Sequence, residues 1–325
     1  MVPRSDDGTA ARAHHGAMLG TTLSPPALPT AAPTAVAVRG LHVRYGDVEA
    51  VRGIDLEVRR GEILALLGPN GAGKTSTIEV LEGFRAASGG SVEVLGRDPW
   101  RAPRAWRDRI GIVLQESAPE GGLTVRECLR LYAGYYAAPR DAEETIALVG
   151  LEGQAATEAT KLSGGQRRRL DVALALIGDP ELIFLDEPTT GFDPAARRAA
   201  WDVVTGLRAL GKTILLTTHY MEEAERLADR IVVMARGEIV AGGTPATLGG
   251  RDRAAAIVSF TLPPGTGPAP LGAEAGADGR VVLRTSRPMA DLHRLTGWAL
   301  DHDAELADLE IRRPTLEDVY LELTR

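Results

Sequence analysis

The stretch Gly68-Pro69-Asn70-Gly71-Ala72-Gly73-Lys74-Thr75 decides the fold of this chain. It matches the pattern G-x-x-x-x-G-K-[ST] of phosphate-binding loops, in which glycine N–H groups surround phosphate oxygens. The apolar run Ile63 to Leu67 precedes it as a predicted buried strand, and Thr75 to Gly83 follows with helical spacing. Lys74 would bring a positive charge to the phosphates, and the Thr75 hydroxyl can ligate Mg²⁺. The sequence therefore predicts that Gly68 to Ser76 bind the phosphates of a nucleotide together with Mg²⁺.

Downstream of this loop, strand and helix patterns alternate. Three short apolar runs are predicted strands and two longer segments have helical spacing: Leu182 to Leu185, Thr213 to Thr217, Ile231 to Met234, Pro194 to Leu210 and Met221 to Leu227. Such alternation is typical of a largely parallel sheet that helices cover on both faces. The expected fold class is α/β, built around a phosphate-binding loop.

Three further regions extend this core. Upstream, the alternating residues Val36 to Val43, the turn Gly46-Asp47 and a strand through Ile54 to Val58 predict an antiparallel hairpin. The segment from Thr124 to Thr160 is rich in Leu, Ala and Glu with helical periodicity, which predicts a helical subdomain. After Gly243 the pattern predicts a small α+β appendage that ends in a helix from Thr315. We expect a disordered leader over 1–34, a nucleotide-binding domain over 35–245 with its helical subdomain at about 116–161, and a C-terminal domain over 246–325.

Composition narrows the class of protein. The chain has 325 residues, a formal net charge of -7 and one cysteine. An acidic total does not suit a nucleic-acid partner, and a single cysteine excludes an internal disulfide. No run approaches the roughly 18 to 20 apolar residues of a membrane-spanning helix. We therefore expect a cytoplasmic protein that does not cross a bilayer by itself.

Two further motifs distinguish among the classes of nucleotide-binding protein. One is Leu162-Ser163-Gly164-Gly165-Gln166, and the other is the apolar strand that ends in Asp186-Glu187 and continues as Pro-Thr-Thr-Gly. With these motifs the chain resembles the ATP-binding subunits of ABC transporters from about Ala35 to Gly243. A serine hydroxyl and glycine N–H groups at the start of a helix, predicted near Gln166, form a second anion site.

The resemblance implies a role for each motif residue. Glu187 would be the general base, and Asp186 would hold Mg²⁺ through water. Gln115, after the strand Ile110 to Leu114, would sense Mg²⁺ and the attacking water, while His219 would contact the γ-phosphate. The remaining residues would bind ATP directly or across a dimer: Tyr45 by stacking on adenine, Gly68 to Ser76 with Lys74 on the phosphates, Ser163 to Gln166 on the γ-phosphate of the other subunit, and Asp193 by coupling the two sites. From the residues alone, a half-buried strand-end side chain is the alternative interpretation of Tyr45.

The resemblance also implies partners. Two copies of the chain, or one copy and a related ATPase, would pack head to tail around ATP. This pair would bind separately encoded permease subunits at the inner face of the membrane. The ending Arg313-Pro-Thr-Leu-Glu-Asp-Val-Tyr-Leu-Glu-Leu resembles the ABC-2-type exporters of drugs, polyketides, lipids and polysaccharides, the daunorubicin-resistance ATPases among them. Its amphipathic helix could dock on its own domain or on a dimer mate. The alternative function is that of an ABC ATPase with a mechanical or regulatory role outside transport.

Overall fold

A computed structural model describes residues 33–113, 121–263, 270–275 and 279–324. The strands along these residues are β1 (Thr34–Tyr45), β2 (Val48–Arg59), β3 (Ile63–Leu67), β4 (Gly89–Val94), β5 (Ile110–Val113), β6 (Leu182–Asp186), β7 (Thr213–Thr218), β8 (Arg230–Ala235), β9 (Glu238–Gly243), β10 (Ala256–Thr261), β11 (Glu274–Ala275), β12 (Arg280–Thr285) and β13 (Ala307–Arg312). The α-helices are α1 (Lys74–Leu81), α2 (Arg104–Arg107), α3 (Val125–Ala133), α4 (Ala142–Leu148), α5 (Gly164–Leu176), α6 (Pro194–Ala209), α7 (Met221–Leu227), α8 (Pro288–Asp301) and α9 (Leu316–Leu323).

A six-stranded sheet in the order β5-β6-β7-β3-β8-β9 forms the centre of the fold. All its neighbours pair in parallel except β9, which runs antiparallel to β8. Strand β3 is buried along its whole length, and its residues alternate between two cores. Ile63, Ala65 and Leu67 pack with the helices of one face, whereas Leu64 and Leu66 pack with the antiparallel sheet on the other. The predicted α/β class is confirmed.

The second sheet is antiparallel, in the order β2-β1-β4. The predicted hairpin is present, and Gly46 at its turn has a φ of +59°, a left-handed conformation that glycine adopts without steric cost. Strand β4 is an addition to the prediction, because its sequence Gly-Gly-Ser-Val-Glu-Val has no clear apolar alternation. Its pairing with β1 brings it into the sheet.

Helices α3, α4 and α5 contact one another between β5 and β6 in the sequence. Thr124 caps the start of α3 as predicted, since its hydroxyl accepts a hydrogen bond from the Glu127 N–H while the Glu127 carboxylate accepts one from the Thr124 N–H. This reciprocal capping box satisfies two backbone donors that a helix start leaves unpaired. The predicted helical character of this segment is confirmed.

The C-terminal region contains its own sheet, in the order β11-β12-β10-β13, with α8 packed on β10 around Val258, Phe260 and Leu295. The last helix behaves differently. Leu316 and Tyr320 of α9 are buried in the main core, and α9 contacts α7. Of the two docking alternatives for the tail, the structure therefore shows the one in which the helix packs on its own chain.

Two differences from the sequence predictions bear on the site. Helix α5 begins at Gly164, two residues before the predicted start near Gln166, because Ser163 is the capping residue. Strand β9 completes the central sheet but was not predicted, since its end is Gly-Gly. Of the leader predicted over 1–34, residues 1–32 lie outside the described residues, as does the segment 114–120, whereas Thr34 already belongs to β1. Among the helices that the structure does describe, none is long and apolar enough to cross a membrane.

Candidate nucleotide site

The loop between β3 and α1 has a left-handed backbone conformation, which favours glycine, at two positions. Gly73 precedes α1 with a φ of +101°, and a Cβ there would lie 2.5 Å from the Ala50 carbonyl oxygen. Gly71 has a φ of +79°. These conformations turn the chain so that the loop closes against the start of α1, where the helix dipole is positive. The predicted phosphate loop thus has the shape and polarity that anion binding requires.

Lys74 is the charged centre of this loop. Its Nζ donates to the carbonyl oxygens of Gly68 at 2.8 Å and Pro69 at 3.2 Å, and it lies 3.6 Å from Glu187 Oε1. Burial lowers the pKa of Lys74, while the Glu187 carboxylate acts in the opposite direction. A buried ammonium group whose partners are two carbonyl oxygens and the Glu187 carboxylate is suited to exchange those partners for phosphate oxygens.

A cleft of about 330 Å³ opens over this lysine, and eight residues line it: Ala50, Asn70, Gly71, Gly73, Lys74, Thr75, Ser76 and Glu187. Seven of the eight are residues that the sequence predicted to bind phosphate, Mg²⁺ or water. Ala50 is the exception, because a small residue in β2 carries no chemical signal. The structure thus brings the predicted general base to the predicted phosphate loop, across 112 intervening residues between Lys74 and Glu187.

Glu187 follows β6 in a strained backbone conformation, with a φ of +46°. Its N–H donates to the carbonyl oxygen and to the Oγ1 of Thr217, at 3.2 Å and 3.0 Å. The Thr217 hydroxyl donates in turn to Asp186 Oδ1. A non-glycine residue with positive φ costs about 1 to 3 kcal/mol and persists only where its surroundings hold it. Strain of this kind is concentrated at functional sites.

The Glu187 carboxylate has two further neighbours. The Thr190 hydroxyl donates to its Oε2 at 3.0 Å, and His219 Nδ1 lies 3.3 Å from the same oxygen. That contact lacks hydrogen-bond geometry, because His219 Nδ1 is a buried nitrogen without a hydrogen-bond partner in the described part of the chain. Glu187, Thr190 and His219 all follow the carboxyl ends of β6 and β7, which lie at the same edge of the parallel sheet. Thr190 is a site residue that the sequence analysis missed.

The second motif lies in a different cleft. Ser163 caps α5, accepting a hydrogen bond from the Gln166 N–H at 3.3 Å, while Gln166 Oε1 accepts one from the Ser163 N–H at 2.9 Å. A cleft of about 360 Å³ contains Ser163 to Gln166 and Asp193 among its lining residues. It has no lining residue in common with the Lys74 cleft. Each motif therefore has its own surface within one chain.

Asp193 and Tyr45 have local partners. Asp193 Oδ1 accepts hydrogen bonds from the N–H groups of Ala195 and Ala196 and so caps α6. The Tyr45 hydroxyl hydrogen-bonds to Ser76 and Glu79, each at 3.1 Å, and the guanidinium of Arg85 lies 4.1 Å from the ring centroid. Because Arg85 covers one ring face, adenine stacking would use the other face. Gln115 lies outside the described residues.

Mg²⁺ fits the chemistry of this cleft. Thr75 offers a hydroxyl, and Asp186 offers a carboxylate at the end of β6, two strands from β3 in the sheet. Mg²⁺ prefers such oxygen ligands and usually takes only one or two from the protein, with water and phosphate completing the shell. The described residues contain no cluster of three or more His, Cys, Asp or Glu side chains for a metal ion. A hydroxyl from Thr75 and a carboxylate from Asp186 suit a metal ion that arrives with its nucleotide.

Comparison with known proteins identifies the family. The family described as "ABC transporter" matches residues 51–190, and the family described as "ABC transporter domain-containing protein-like, C-terminal domain" matches residues 256–315. Daunorubicin resistance ATP-binding protein DrrA3 of Streptomyces coeruleorubidus is 40% identical over 308 residues, which are 90% of this chain and 96% of that protein. Nod factor export ATP-binding protein I of Cupriavidus pinatubonensis is 45% identical over 234 residues, 70% of this chain and 72% of that protein.

Solved structures agree with this assignment. The "ATP binding subunit of ABC transporter" is 29% identical with a TM-score of 0.59, over 66% of this chain and 91% of that one. The ADP conformation of the ATP-binding cassette MJ1267 is 25% identical with a TM-score of 0.58, over 65% and 91%. The predicted fold, a P-loop ATPase of ABC type, and the predicted resemblance are confirmed. The chain belongs to the ATP-binding subunits of ABC transporters, a family of nucleotide-binding ATPases.

Proposed function

We propose that this chain hydrolyses ATP to power export through separately encoded permease subunits of the ABC-2 type. The observation that carries this proposal is the 40% identity to a daunorubicin resistance ATP-binding protein over 96% of that protein's length. The matched length includes the C-terminal region as well as the ATPase core. Drug-like, polyketide, lipid or polysaccharide molecules are the proposed cargo class, and the inner face of the cell membrane is the proposed location.

The Lys74–Glu187 contact describes the site before ATP enters. The three N–H donors of the Lys74 ammonium group already face the Gly68 and Pro69 carbonyl oxygens and the Glu187 carboxylate, so an incoming γ-phosphate would displace partners, Glu187 among them. The freed carboxylate would accept a proton from the attacking water, and Thr190 would keep its orientation. Lys74 and the loop N–H groups would stabilise the charge on the phosphate oxygens. His219, whose Nδ1 lies 3.3 Å from Glu187 Oε2, would then be free to contact the γ-phosphate.

Magnesium would be held by Thr75 and Asp186, and by Gln115 as the resemblance implies. Its contribution is charge neutralisation on the phosphate oxygens. The Thr217 hydroxyl, which donates to Asp186, fixes the orientation of that carboxylate. Precise orientation of a ligand by a neighbouring hydrogen bond is a common feature of metal sites.

The separation of the two clefts supports a head-to-tail pair of subunits. The Ser163 cleft presents a helix N-terminus, glycine N–H groups and a hydroxyl, which together attract an anion. Because the phosphate loop of the same chain lines a different cleft, the γ-phosphate that Ser163 meets would belong to ATP on the partner subunit. ATP would then join the two subunits, and hydrolysis would release them.

The test uses the full-length chain with its permease in vesicles. We expect ATP hydrolysis in the parent and a loss of at least about 100-fold in kcat for Glu187→Gln, as for removal of a general base. Lys74→Ala should instead lose nucleotide binding. Glu222→Gln on the exposed side of α7 is the matched carboxylate control and should retain parent activity. Undiminished hydrolysis in Glu187→Gln, or ATP hydrolysis without any stimulation or cargo movement when a permease is present, would refute the proposal.

A further inference from the structure

A buried carboxylate outside both clefts connects the segments that carry the proposed catalytic groups. Glu223 lies in the first turn of α7 and is 0% exposed. Its Oε1 accepts hydrogen bonds from the Thr189 hydroxyl at 2.8 Å and from the Trp201 indole N–H at 3.0 Å. Both partners are also buried. A single oxygen therefore joins the loop after β6, helix α6 and helix α7.

Each of these three segments leads to a proposed site residue. Thr189 is followed by Thr190, whose hydroxyl donates to Glu187 Oε2. Helix α6, which carries Trp201, is capped by Asp193. Helix α7 begins two residues after His219. The hydrogen bonds of Glu223 thus limit how Glu187, Asp193 and His219 can move relative to one another.

Arg168 of α5 extends this network to the helix that Ser163 caps. It is 8% exposed, and its guanidinium donates to the carbonyl oxygens of Asp186 at 2.9 Å and Pro188 at 3.2 Å. These carbonyls lie on either side of the strained Glu187. Burial lowers the pKa of Arg168, while the carboxylates of Asp171, Asp186 and Glu223 act against that change. Arg168 therefore ties helix α5 to the backbone on both sides of the general base.

This arrangement is not the one that stability alone would favour. Glu223 Oε2 is buried and accepts no hydrogen bond from the described residues. A buried polar atom without a partner costs free energy, and apolar side chains at such positions are often as stable or more so. The Glu223 carboxylate is instead suited to fix the positions of two hydrogen-bond donors, Thr189 in the loop after β6 and Trp201 in α6, relative to each other. A strained residue such as Glu187 requires fixed surroundings of this kind.

We propose that Glu223 is a positioning residue for ATP hydrolysis, which holds the segments of Glu187, Asp193 and His219 in register through Thr189 and Trp201. It acts through those residues and not on the nucleotide, because it lines neither of the two clefts. The inference rests on the proposed ATPase function. In this proposal Glu223, a buried carboxylate in α7, determines the position of Glu187, the proposed general base that follows β6.

The first test measures kcat and KM for ATP in the full-length chain. For Glu223→Ala we expect a loss in kcat of about 10- to 100-fold, the size expected for a displacement of about 1 Å in a catalytic group. Nucleotide affinity should stay at the parent value, since the Lys74 cleft is intact. Glu223→Gln should recover most of kcat, because the amide oxygen can accept both hydrogen bonds. Glu222→Ala, one residue earlier and exposed, is the matched control.

The second test is a double-mutant cycle with Thr190→Val. If Glu223 acts through the Thr189-Thr190 segment, the two losses in kcat will be less than multiplicative. Should Glu223→Ala fail to fold, Thr189→Val and Trp201→Phe each remove one donor and are expected to lower kcat in the same way. Parent kcat in the folded variants, multiplicative losses, or an equal weakening of nucleotide affinity would each overturn the inference. A normal rate in Glu187→Gln would instead overturn the proposed function.

Discussion

Replacement of Glu82 by Gln should stabilise the protein at high pH and leave it unchanged at low pH. Glu82 is the capping residue directly after helix α1, and 6% of its surface is exposed. Burial raises its pKa from 4.5 to about 8, and the carboxylates of Asp186 and Glu79 add to that rise. Between these two pH values the native state holds a proton that the unfolded state has released. The free energy of unfolding therefore falls as the pH rises, and it levels off above about 8.

The magnitude follows from the size of the pKa change. A rise from 4.5 to about 8 corresponds to at most about 5 kcal/mol, at roughly 1.36 kcal/mol per pH unit. Water penetration and side-chain movement reduce this value, so we expect a difference of about 2 to 5 kcal/mol between Glu82→Gln and the parent at pH 9. At pH 4.5 the two proteins should differ by less than about 0.5 kcal/mol, because Glu82 is protonated in the native parent and only about half ionised in the unfolded chain.

Urea unfolding at a series of pH values from 4.5 to 9, followed by circular dichroism, measures this difference directly. The exposed Glu222→Gln variant is the control and should follow the parent at every pH. Curves for Glu82→Gln and the parent that stay parallel across the whole range would refute the reasoning. So would a variant that is less stable than the parent at pH 9.

Three further predictions concern the clefts and the frame around them. Ser163→Ala removes a helix cap and should lower the free energy of unfolding by about 1 kcal/mol in urea titrations; hydrolysis should fall as well, while ATP binding by the isolated subunit stays unchanged. Tyr45→Ala should weaken ATP binding by roughly 1 to 3 kcal/mol in calorimetry if the ring stacks on adenine, whereas Tyr45→Phe should bind normally. The Arg109 and Arg60 guanidinium groups lower the pKa of Glu181 to about 2. The free energy of unfolding of the parent should therefore fall relative to that of Glu181→Gln as the pH decreases from 4.5 to 2. High salt should reduce this difference, and acid titrations at two salt concentrations would measure it.

Much of the central fold could be predicted because local sequence and final environment agree there. Ile63 to Leu67 is a continuous apolar run, and as a central parallel strand it is buried on both faces. Strands β4 and β9 could not be predicted in the same way. Each has a Gly-Gly pair at one end and only a few apolar residues, too short a pattern to predict a strand, and pairing with neighbours defines them as strands.

The same contrast applies to the site. Lys74 and Glu187 belong to motifs whose spacing has a physical reason, and the structure places them together. Glu223 has no such signal, since Glu222-Glu223 in a short helix looks like an exposed acidic pair. Its burial depends on Thr189 and Trp201, which are 34 and 22 residues away in the sequence. Only the assembled fold brings these partners to it.

The two ends of the segment that forms the C-terminal sheet lie side by side, because Arg251 contacts Pro314. Arg251 Nε donates to the Pro314 carbonyl oxygen at 2.8 Å, so the chain leaves the core and returns to it at nearly the same point. Everything from β10 to β13 lies between these two residues, and α9 then rejoins the core. Adjacent entry and exit points are the arrangement that tolerates exchange of whole segments best. The sheet is therefore a natural unit for chimaeras between relatives, provided that each chimaera keeps its last helix.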